Sequence, residues 1–280
     1  MLILRTIPEL RTFVHDWRSQ SLRIGLVPTM GYLHAGHLSL IEHIKPHCDR
    51  ILVSIFVNPT QFSPEEDLDR YPRDLDRDEK LVEERGADAI FYPDSKEIYP
   101  DGFRTFVIVE GLGSVLCGRS RPTHFRGVTT IVAKLFNLTD CDAAVFGQKD
   151  YQQALLIQRM VDDLNLDVEI LVAPTVREAD GLAMSSRNNY LAPPERERAP
   201  VLYRALSQGQ KLFESGEVSA AKIKQEMRKA LRNTGVTVDY VEVMDAVQLQ
   251  PVEKVNRRVV LAGAIWLGNT RLIDNIIIEP

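Results

Sequence analysis

The stretch that most constrains this chain runs from Pro28 to His37 and reads PTMGYLHAGH. The apolar run before it, residues 24–27, predicts a buried strand, and apolar side chains at helical spacing follow in residues 38–44. A glycine-bearing turn between strand and helix brings backbone N–H groups and the positive end of a helix dipole to one point. His34 and His37 share one helix face, so both rings can reach the same anion. The pattern predicts a phosphate site, and the alternative is that the histidines only complete a helix start.

Strand-like apolar runs alternate with helical patterns over the first 175 residues. The predicted strands are Arg23–Val27, Ile51–Val57, Ala89–Tyr92, Phe106–Val109, Ala143–Phe146 and Val168–Val172. Several are continuous Val, Ile, Leu and Phe runs, as in strands buried on both faces of a parallel sheet. The predicted helices between them are Gly36–Lys45, Arg73–Glu84, Gly127–Asn137 and Tyr151–Leu164. This alternation predicts an α/β protein with a Rossmann-like doubly wound parallel sheet, which binds ligands beyond the carboxyl ends of its strands.

The character of the chain changes near Pro174. The next segment is polar and carries Gly181, Pro193 and Pro194, which is typical of a linker or an active-site loop. Beyond it we predict two helices and three strands: Glu195–Glu214, Ser219–Asn233, Val238–Met244, Arg258–Ile265 and Leu272–Ile278. The predicted organisation is therefore a Rossmann-like α/β domain over residues 1–175 and a smaller C-terminal α+β domain over residues 176–280.

Composition excludes several classes of protein. No apolar stretch approaches the ~20 residues needed to cross a bilayer, and the N-terminus lacks the pattern of a signal peptide. The net charge of −5 argues against non-specific nucleic-acid binding. Cys48, Cys117 and Cys141 are widely spaced with no CxxC, which suits a reducing compartment. We therefore expect a cytoplasmic protein with neither a membrane nor a nucleic-acid partner.

Four further polar clusters follow strand-like runs or precede helices. They are NPTQF at Asn58–Phe62, RSRPTHFRG at Arg119–Gly127, GQKDYQQ at Gly147–Gln153 and VREADGLAMSSRN at Val176–Asn188. The amide pair of Asn58 and Gln61 suits hydroxyls and a carboxylate, or only a turn. Arginines and a histidine at a helix start favour an anion. In the third cluster Lys149 can reach phosphate, while Asp150 either caps a helix or contacts a ribose.

Two metal interpretations are weaker. A zinc site at the His34–His37 pair needs further ligands, and no Cys or carboxylate stands at a suitable spacing. The acidic stretch at residues 64–80 mixes both charges at helical spacing, which predicts a solvated helix with internal ion pairs.

The motifs together resemble a known family. His-x-Gly-His after a first strand resembles the HIGH signature of the nucleotidyltransferase superfamily, and P-T-M-G-x-L-H-x-G-H is similar to the pantothenate synthetases. The family motif R-P-x-H-F-x-G-V is present in full from Arg121, and Met-Ser-Ser-Arg resembles the KMSKS-type loop of the superfamily. Gln148 replaces the family's usual Glu, and Tyr32 and Ala35 differ from its commonest letters.

The resemblance implies an amide-forming ligase that joins (R)-pantoate to β-alanine through a pantoyl adenylate, with ATP and Mg²⁺. It implies that residues 1–175 form a nucleotide-binding catalytic domain and residues 176–280 a lid domain. It also implies a homodimer, and it leaves the metal ligands unknown. The implied catalytic residues are His34, His37, Lys149 and Arg187. The implied ATP-binding residues are Met30, Gly31, Tyr32, Leu33, His34, Ala35, Gly36, His37, Gly147, Gln148, Lys149, Asp150, Val176, Met184, Ser185, Ser186 and Arg187. The implied pantoate and β-alanine residues are Gln61, Gln153, Asn58 and Arg121.

Other functions stay open at this point. A different nucleotidyltransferase would keep the histidine pair and the Ser-Ser-Arg loop without needing Gln61 and Gln153. A tRNA-charging enzyme would need a basic anticodon-binding region, which is absent. A nucleotide sensor would bind ATP without turnover that depends on an acid.

Overall fold

A six-stranded parallel sheet organises the first part of the computed structural model, which describes residues 1–280. Its strands lie in the order β1-β4-β3-β2-β5-β6, and every neighbouring pair is parallel. The strands are β1 Leu2–Leu4, β2 Ile24–Thr29, β3 Arg50–Ile55, β4 Ala89–Phe91, β5 Ala143–Gly147 and β6 Glu169–Ala173.

Helices cover both faces of this sheet, because alternate residues of each strand point to opposite sides. Leu26 packs in a core with the helices of one face, and its neighbour Val27 packs in a separate core with those of the other. The helices of the chain are α1 Ile7–Ser19, α2 Ala35–Ile44, α3 Leu75–Glu84, α4 Ser95–Ile98, α5 Cys117–Ser120, α6 His124–Thr139, α7 Tyr151–Leu164, α8 Pro193–Arg198, α9 Val201–Glu214 and α10 Ala220–Ala230. The predicted doubly wound α/β sheet is confirmed.

The sheet opens between β2 and β5. These strands pair only at Gly25 with Ala143 and at Leu26 with Ala144, although both continue further. Pro28, in the part of β2 that pairs with β3 but not with β5, has no N–H to donate. The strand order also reverses here, because β3 lies on one side of β2 and β5 on the other. Such a switch point is where doubly wound sheets bind their ligands.

The C-terminal part contains the second predicted sheet. Strands β7 Thr237–Asp245, β8 Val259–Leu267 and β9 Thr270–Ile278 pair antiparallel in that order, and apolar residues of α9 and α10 pack with them in one core. This confirms the predicted smaller α+β part. The single helix predicted over Glu195–Glu214 is wrong in one respect. It is broken into α8 and α9 around Pro200, whose ring cannot continue the hydrogen-bond ladder.

The predicted strand Phe106–Val109 is wrong, since these residues have no regular secondary structure and pair with no strand. The side chains of α6 take the place of a partner: Thr130 accepts from the N–H of Val107, and Thr129 donates to its carbonyl.

Two elements at the N-terminus, β1 and α1, are absent from the predicted strands and helices. The start of α1 carries clear signals, a Thr6–Glu9 capping box and a proline in the first turn.

The chain divides into two compact units. The first is Met1–Ser114, Arg121–Gly147 and Gln152–Pro174, and the second is Val115–Ser120, Gln148–Tyr151 and Thr175–Pro280. The short segment that carries Lys149 therefore belongs to the second unit, although residues of the first flank it in sequence. Separate catalytic and lid roles for residues 1–175 and 176–280 stay a prediction. None of the helices is both long enough and apolar enough to cross a membrane.

Candidate active site

The two histidines form a reciprocal cap at the start of α2. Nδ1 of His34 accepts from the N–H of Gly36 at 3.1 Å, and Nδ1 of His37 accepts from the N–H of His34 at 3.3 Å. The ring centroids are 4.0 Å apart. An imidazole that accepts at Nδ1 carries its proton at Nε2 when neutral. The capping interpretation is therefore correct, and it places the proton of each neutral imidazole on Nε2.

A buried carboxylate holds the turn that precedes these histidines. Asp78 of α3, 1% exposed, accepts from the N–H of Tyr32 at 2.6 Å and from the N–H of Leu33 at 2.7 Å. Arg77, on the same helix, donates to the carbonyl of Leu33 at 2.9 Å. Burial raises the pKa of Asp78, and the two N–H donors oppose that rise. The turn is therefore fastened on both sides by one helix.

Gly31 is required in this turn by its backbone and by its surroundings. Its φ of +80° lies in the left-handed region. An added Cβ would lie 2.8 Å from Cγ2 of Ile55 and 3.1 Å from the carboxylate of Asp78.

The prediction that the acidic stretch at residues 64–80 is solvated is wrong at Asp78, which is buried. A single acidic residue in the sequence does not indicate a hydrogen-bond partner far away along the chain.

Gln61 lies against the same turn. Its Nε2 approaches Sδ of Met30 at 3.0 Å, and its Oε1 accepts from Nδ2 of Asn58 at 3.1 Å. Asn58 is itself fully engaged: its amide also donates to the carbonyl of Gly127 and accepts from the hydroxyls of Tyr99 and Thr60. The structure thus places Gln61 beside the histidine turn. Asn58 holds the side chain of Gln61 by donating a hydrogen bond to its amide oxygen. A substrate contact for Asn58 stays a prediction.

The RPTHFRG segment also supports Gln61. The carbonyl of Gln61 accepts from Nη2 of Arg121 at 3.2 Å and lies 2.9 Å from Nδ1 of His124. An added Cβ at Gly127 would lie 2.5 Å from the carbonyl carbon of Thr60, so only glycine allows α6 to approach this backbone.

Arg121 already has an anionic partner within the chain. Its guanidinium makes a bidentate pair with Glu66, with contacts of 2.5 and 2.7 Å. Burial alone would raise the pKa of Glu66, but the pair with Arg121 lowers it overall. The positive charge of Arg121 is thus already paired with the carboxylate of Glu66. Binding of a substrate acid by Arg121 stays a prediction.

The end of β5 leaves space for a ligand. An added Cβ at Gly147 would meet no atom within 4 Å. Gln153, on the first turn of α7, is half-buried, while its neighbour Gln152 is buried and donates to the carbonyl of Leu112 at 2.7 Å. Of the two glutamines, Gln153 is thus the one with an uncommitted amide.

Within the second unit, residues Gln148–Asp150 form a short 3-10 turn. Nζ of Lys149 lies 3.5 Å from the carboxylate of Asp150, and the Lys149 side chain is 21% exposed. Asn275 of β9 donates to the carbonyls of both Gln148 and Lys149. Sequence reasoning gave Asn275 no role.

The Ser-Ser-Arg loop lies in the same unit. Met184 donates its N–H to the carbonyl of Val176 at 3.0 Å, which closes a narrow loop around Gly181. Ser185 then caps the 3-10 turn Ser186–Tyr190 through an N–H of Arg187 at 3.3 Å. The structure thus brings Val176 next to Met184 and groups the serines with Arg187 on one turn.

The fold and the site define a class: a doubly wound α/β protein with a histidine-capped turn at the switch point of its sheet. Comparisons with known proteins narrow it. The family model for pantoate-beta-alanine ligase matches residues 2–277. A pantothenate synthetase from Moorella thermoacetica is 56% identical over 280 residues, which cover 100% of this chain and 99% of the relative.

Solved structures agree with the family model. The crystal structure of a pantothenate synthetase from Thermus thermophilus has a TM-score of 0.93 and 44% identity, with 100% of both chains covered. A pantoate-beta-alanine ligase from Francisella tularensis, complexed with beta-gamma ATP and beta-alanine, has a TM-score of 0.82 and 35% identity, with 99% of this chain and 97% of that chain covered. The chain belongs to the pantoate-beta-alanine ligase family, as its motifs predict.

Replacing Asp78 with Asn tests the fastening of the histidine turn. The amide keeps one acceptor oxygen but presents an N–H₂ group to a backbone N–H, so we expect the free energy of unfolding to fall by about 1.5–3 kcal/mol. Urea denaturation measures the change. Asp76→Asn, at an exposed position of the same helix, is the matched control and should change stability by less than about 0.5 kcal/mol. Equal losses in both variants would contradict the role given to Asp78.

Replacing Gly127 with Ala tests the close approach of α6 to the Gln61 loop. The added methyl group has no space against Thr60, so we expect a loss of about 1–3 kcal/mol and a displaced Gln61 in a crystal structure. Gly113→Ala is the control, because its Cβ would have its nearest neighbour at 3.8 Å. A Gly127→Ala protein with an unmoved Gln61 and unchanged stability would refute this packing argument.

Proposed function

We propose that this protein joins (R)-pantoate to β-alanine in two steps, with ATP and Mg²⁺ as the nucleotide substrate and its metal ion. The pantoate carboxylate attacks the α-phosphorus of ATP to form pantoyl adenylate and pyrophosphate. The amine of β-alanine then attacks the acyl carbon, and AMP leaves with the carboxylate oxygen. Membership in the ligase family supports the reaction. The observation that carries it at this site is the pair of imidazoles, 4.0 Å apart, that cap the N-terminus of α2 through their Nδ1 atoms.

The histidine turn suits the first step. Negative charge grows on the α-phosphate oxygens as the carboxylate adds and pyrophosphate leaves. The imidazoles of His34 and His37 and the positive end of the α2 dipole are the groups we assign to that charge. No residue has to become covalently attached to substrate. Catalysis comes from alignment and from stabilising the developing charge.

Gln61 and Gln153 are the residues we assign to pantoate. An amide side chain can donate to a carboxylate and accept from a hydroxyl, and pantoate carries both groups. Because Gln61 contacts Met30 of the histidine turn, an acid held by its amide lies beside the residues assigned to the α-phosphate. Asn58 and Arg121 complete this assignment by holding Gln61 in place.

Lys149, Ser185, Ser186 and Arg187 are assigned to the phosphates of ATP. An ammonium and a guanidinium supply positive charge, and the hydroxyls supply donors. Gly147 and the backbone of Val176 and Met184 complete the nucleotide site.

The residues fit a magnesium ion that arrives with the nucleotide. The described chain has no cluster of three His, Cys, Asp or Glu side chains able to hold a metal ion by itself. Mg²⁺ usually takes one or two carboxylates, substrate phosphates and water. Asp150, beside Lys149 and 45% exposed, is the carboxylate that would hold it. When bound, the ion neutralises phosphate charge.

We also propose that the protein works as a homodimer in the cytoplasm. Three free cysteines, two of them buried, support a reducing compartment. For the dimer, the support is the segment Arg104–Glu110, which pairs with no strand of the chain and ends in a turn at Glu110. Val107 bonds inward to α6, whereas Phe106 and Ile108 are 36% and 63% exposed and their backbone groups make no hydrogen bond within the chain.

This segment is complementary to a second copy of itself. If two copies pair antiparallel around Val107, Phe106 lies opposite Ile108 and both exchange backbone hydrogen bonds. Arg104 then lies opposite Glu110, so each end of the paired segment carries opposite charges.

The reaction is tested by mixing purified protein with ATP, Mg²⁺ and (R)-pantoate, with and without β-alanine. We expect pyrophosphate in an amount equal to the enzyme without β-alanine, and many turnovers to AMP and pantothenate once it is added. Pyrophosphate release that ignores pantoate would overturn the assignment and indicate a different acceptor on the same fold.

Substituting His37 or Lys149 with Ala should slow adenylate formation by roughly 10²–10⁴-fold, because each variant removes a donor to developing charge. Rapid-quench measurement of pyrophosphate release gives the rate. His43→Ala, on the exposed side of the same helix, is the control and should keep the wild-type rate. A near-normal rate for His37→Ala or Lys149→Ala would remove that residue from the mechanism.

Charge reversal tests the dimer. Arg104→Glu and Glu110→Arg should each raise the dimer dissociation constant by roughly tenfold, because two symmetry-related ion pairs become repulsive. The double variant restores attraction and should restore the wild-type constant. Sedimentation equilibrium measures all four proteins. A monomeric wild type, or single variants that dimerise normally, would contradict pairing through this segment.

A further inference from the structure

Two consecutive residues of β9, Asp274 and Asn275, contact two separate loops of the second unit. Both are buried, with 5% and 3% of their surface exposed. One loop contains Lys149, and the other leads into the Ser185–Arg187 turn. Polar side chains at such depth are retained only where their partners are well defined.

Asn275 holds the Lys149 loop by its backbone. Its Nδ2 donates to the carbonyl of Gln148 at 2.9 Å and to that of Lys149 at 3.0 Å. Its Oδ1 accepts from Nε2 of Gln148 at 3.3 Å. Two consecutive carbonyls fixed by one amide set the direction of the peptide from which the Lys149 side chain extends.

Asp274 holds the other loop through Arg177. The carboxylate accepts two hydrogen bonds from this guanidinium, at 2.6 and 2.9 Å, and a third from the N–H of Asn275 at 2.8 Å. Arg177 also donates to the carbonyl of Gly181 at 3.1 Å, and its guanidinium lies 3.8 Å from the ring centre of Tyr203. Burial raises the pKa of Asp274, and Arg177 opposes that rise.

Arg177 is connected directly to the Ser-Ser-Arg turn. Its backbone forms an antiparallel bridge with Ala183, and the next pair, Val176 and Met184, is joined by a hydrogen bond of 3.0 Å. Ser185 follows Met184. An anchor on Arg177 therefore fixes the point at which the Ser185–Arg187 turn begins.

We propose that Asp274 and Asn275 are positioning residues that set the Lys149 loop and the Ser185–Arg187 turn in the relative arrangement needed to bind ATP. The inference rests on the proposed function, which assigns both loops to the nucleotide phosphates. Neither residue has to touch ATP. Asp274 and Asn275 are adjacent residues of β9, which pairs with β8 along its whole length. The strand therefore holds the two side chains in a fixed relation. Loops held in advance lose less conformational entropy when the ligand binds.

The test uses the full chain with Asn275→Ala and Asp274→Asn. We expect each variant to raise KM and calorimetric Kd for ATP by roughly 10- to 100-fold, since a small misplacement of charged loops carries a cost of that size. KM for pantoate should change less than about twofold. That selectivity is expected because Gln61 and Gln153, assigned to pantoate, belong to the first unit.

Asp245→Asn is the matched control. Asp245 is also a buried carboxylate of the second unit, and it accepts from the N–H groups of Val247 and Gln248 and pairs with Arg257. It contacts neither nucleotide loop, so its substitution should lower stability without a selective effect on ATP. Asp274→Asn keeps the size and shape of the side chain while removing its charge, which keeps the test usable if Asn275→Ala does not fold.

The inference is overturned if folded variants bind ATP normally, or if KM for ATP and pantoate rise equally. It is also overturned if the control shows the same selective loss. These outcomes differ from failure of the proposed function, in which the wild-type protein itself makes no pyrophosphate from ATP and pantoate.

Discussion

The gap between β2 and β5 is the constraint on which the site depends. Two strands that paired along their whole length would close the sheet where a ligand has to enter. Pairing instead stops after Leu26 and Ala144, next to a proline that cannot donate. The histidine turn follows one of these strands and Gly147 ends the other, so both belong to the edge where a doubly wound sheet binds its ligands.

The residues assigned to chemistry are held by other polar residues. Asp78 holds the turn before His34, Asn58 and the RPTHFRG segment hold Gln61, and Asn275 holds the backbone of Lys149. The supporting side chains of Asp78, Asn58, Arg121, His124 and Asn275 are buried or part-buried and form hydrogen bonds within the chain. Such support fixes donors before substrate arrives, which is how positioned charge contributes to catalysis. The RPTHFRG segment therefore has a structural role in holding Gln61, which differs from the anion site predicted from its sequence.

The sequence predicted the features that have a local signal. Continuous apolar runs identify β2, β3 and β5, and the His-x-x-His spacing locates the start of α2. Phe106–Val109 has the letters of a strand, but side chains of α6 occupy the inner edge where a strand partner would pair, and propensity gives no sign of that. The buried contacts of Asp78 and Asn275 could not be predicted from the sequence for a related reason. Their partners lie 45 and 127 residues away, and one acidic or amide letter looks the same on a surface as in a buried cap.

Attack of pantoate on the α-phosphate of ATP transfers one carboxylate oxygen to AMP, and this transfer can be measured. Pantoate labelled with ¹⁸O in both carboxylate oxygens is incubated with the enzyme, ATP, Mg²⁺ and β-alanine, and the products are analysed by mass spectrometry. An acyl adenylate that loses its acyl group to an amine leaves one labelled oxygen on AMP and one in the amide carbonyl of the product. Unlabelled AMP, or label in inorganic phosphate beside ADP, would contradict the account.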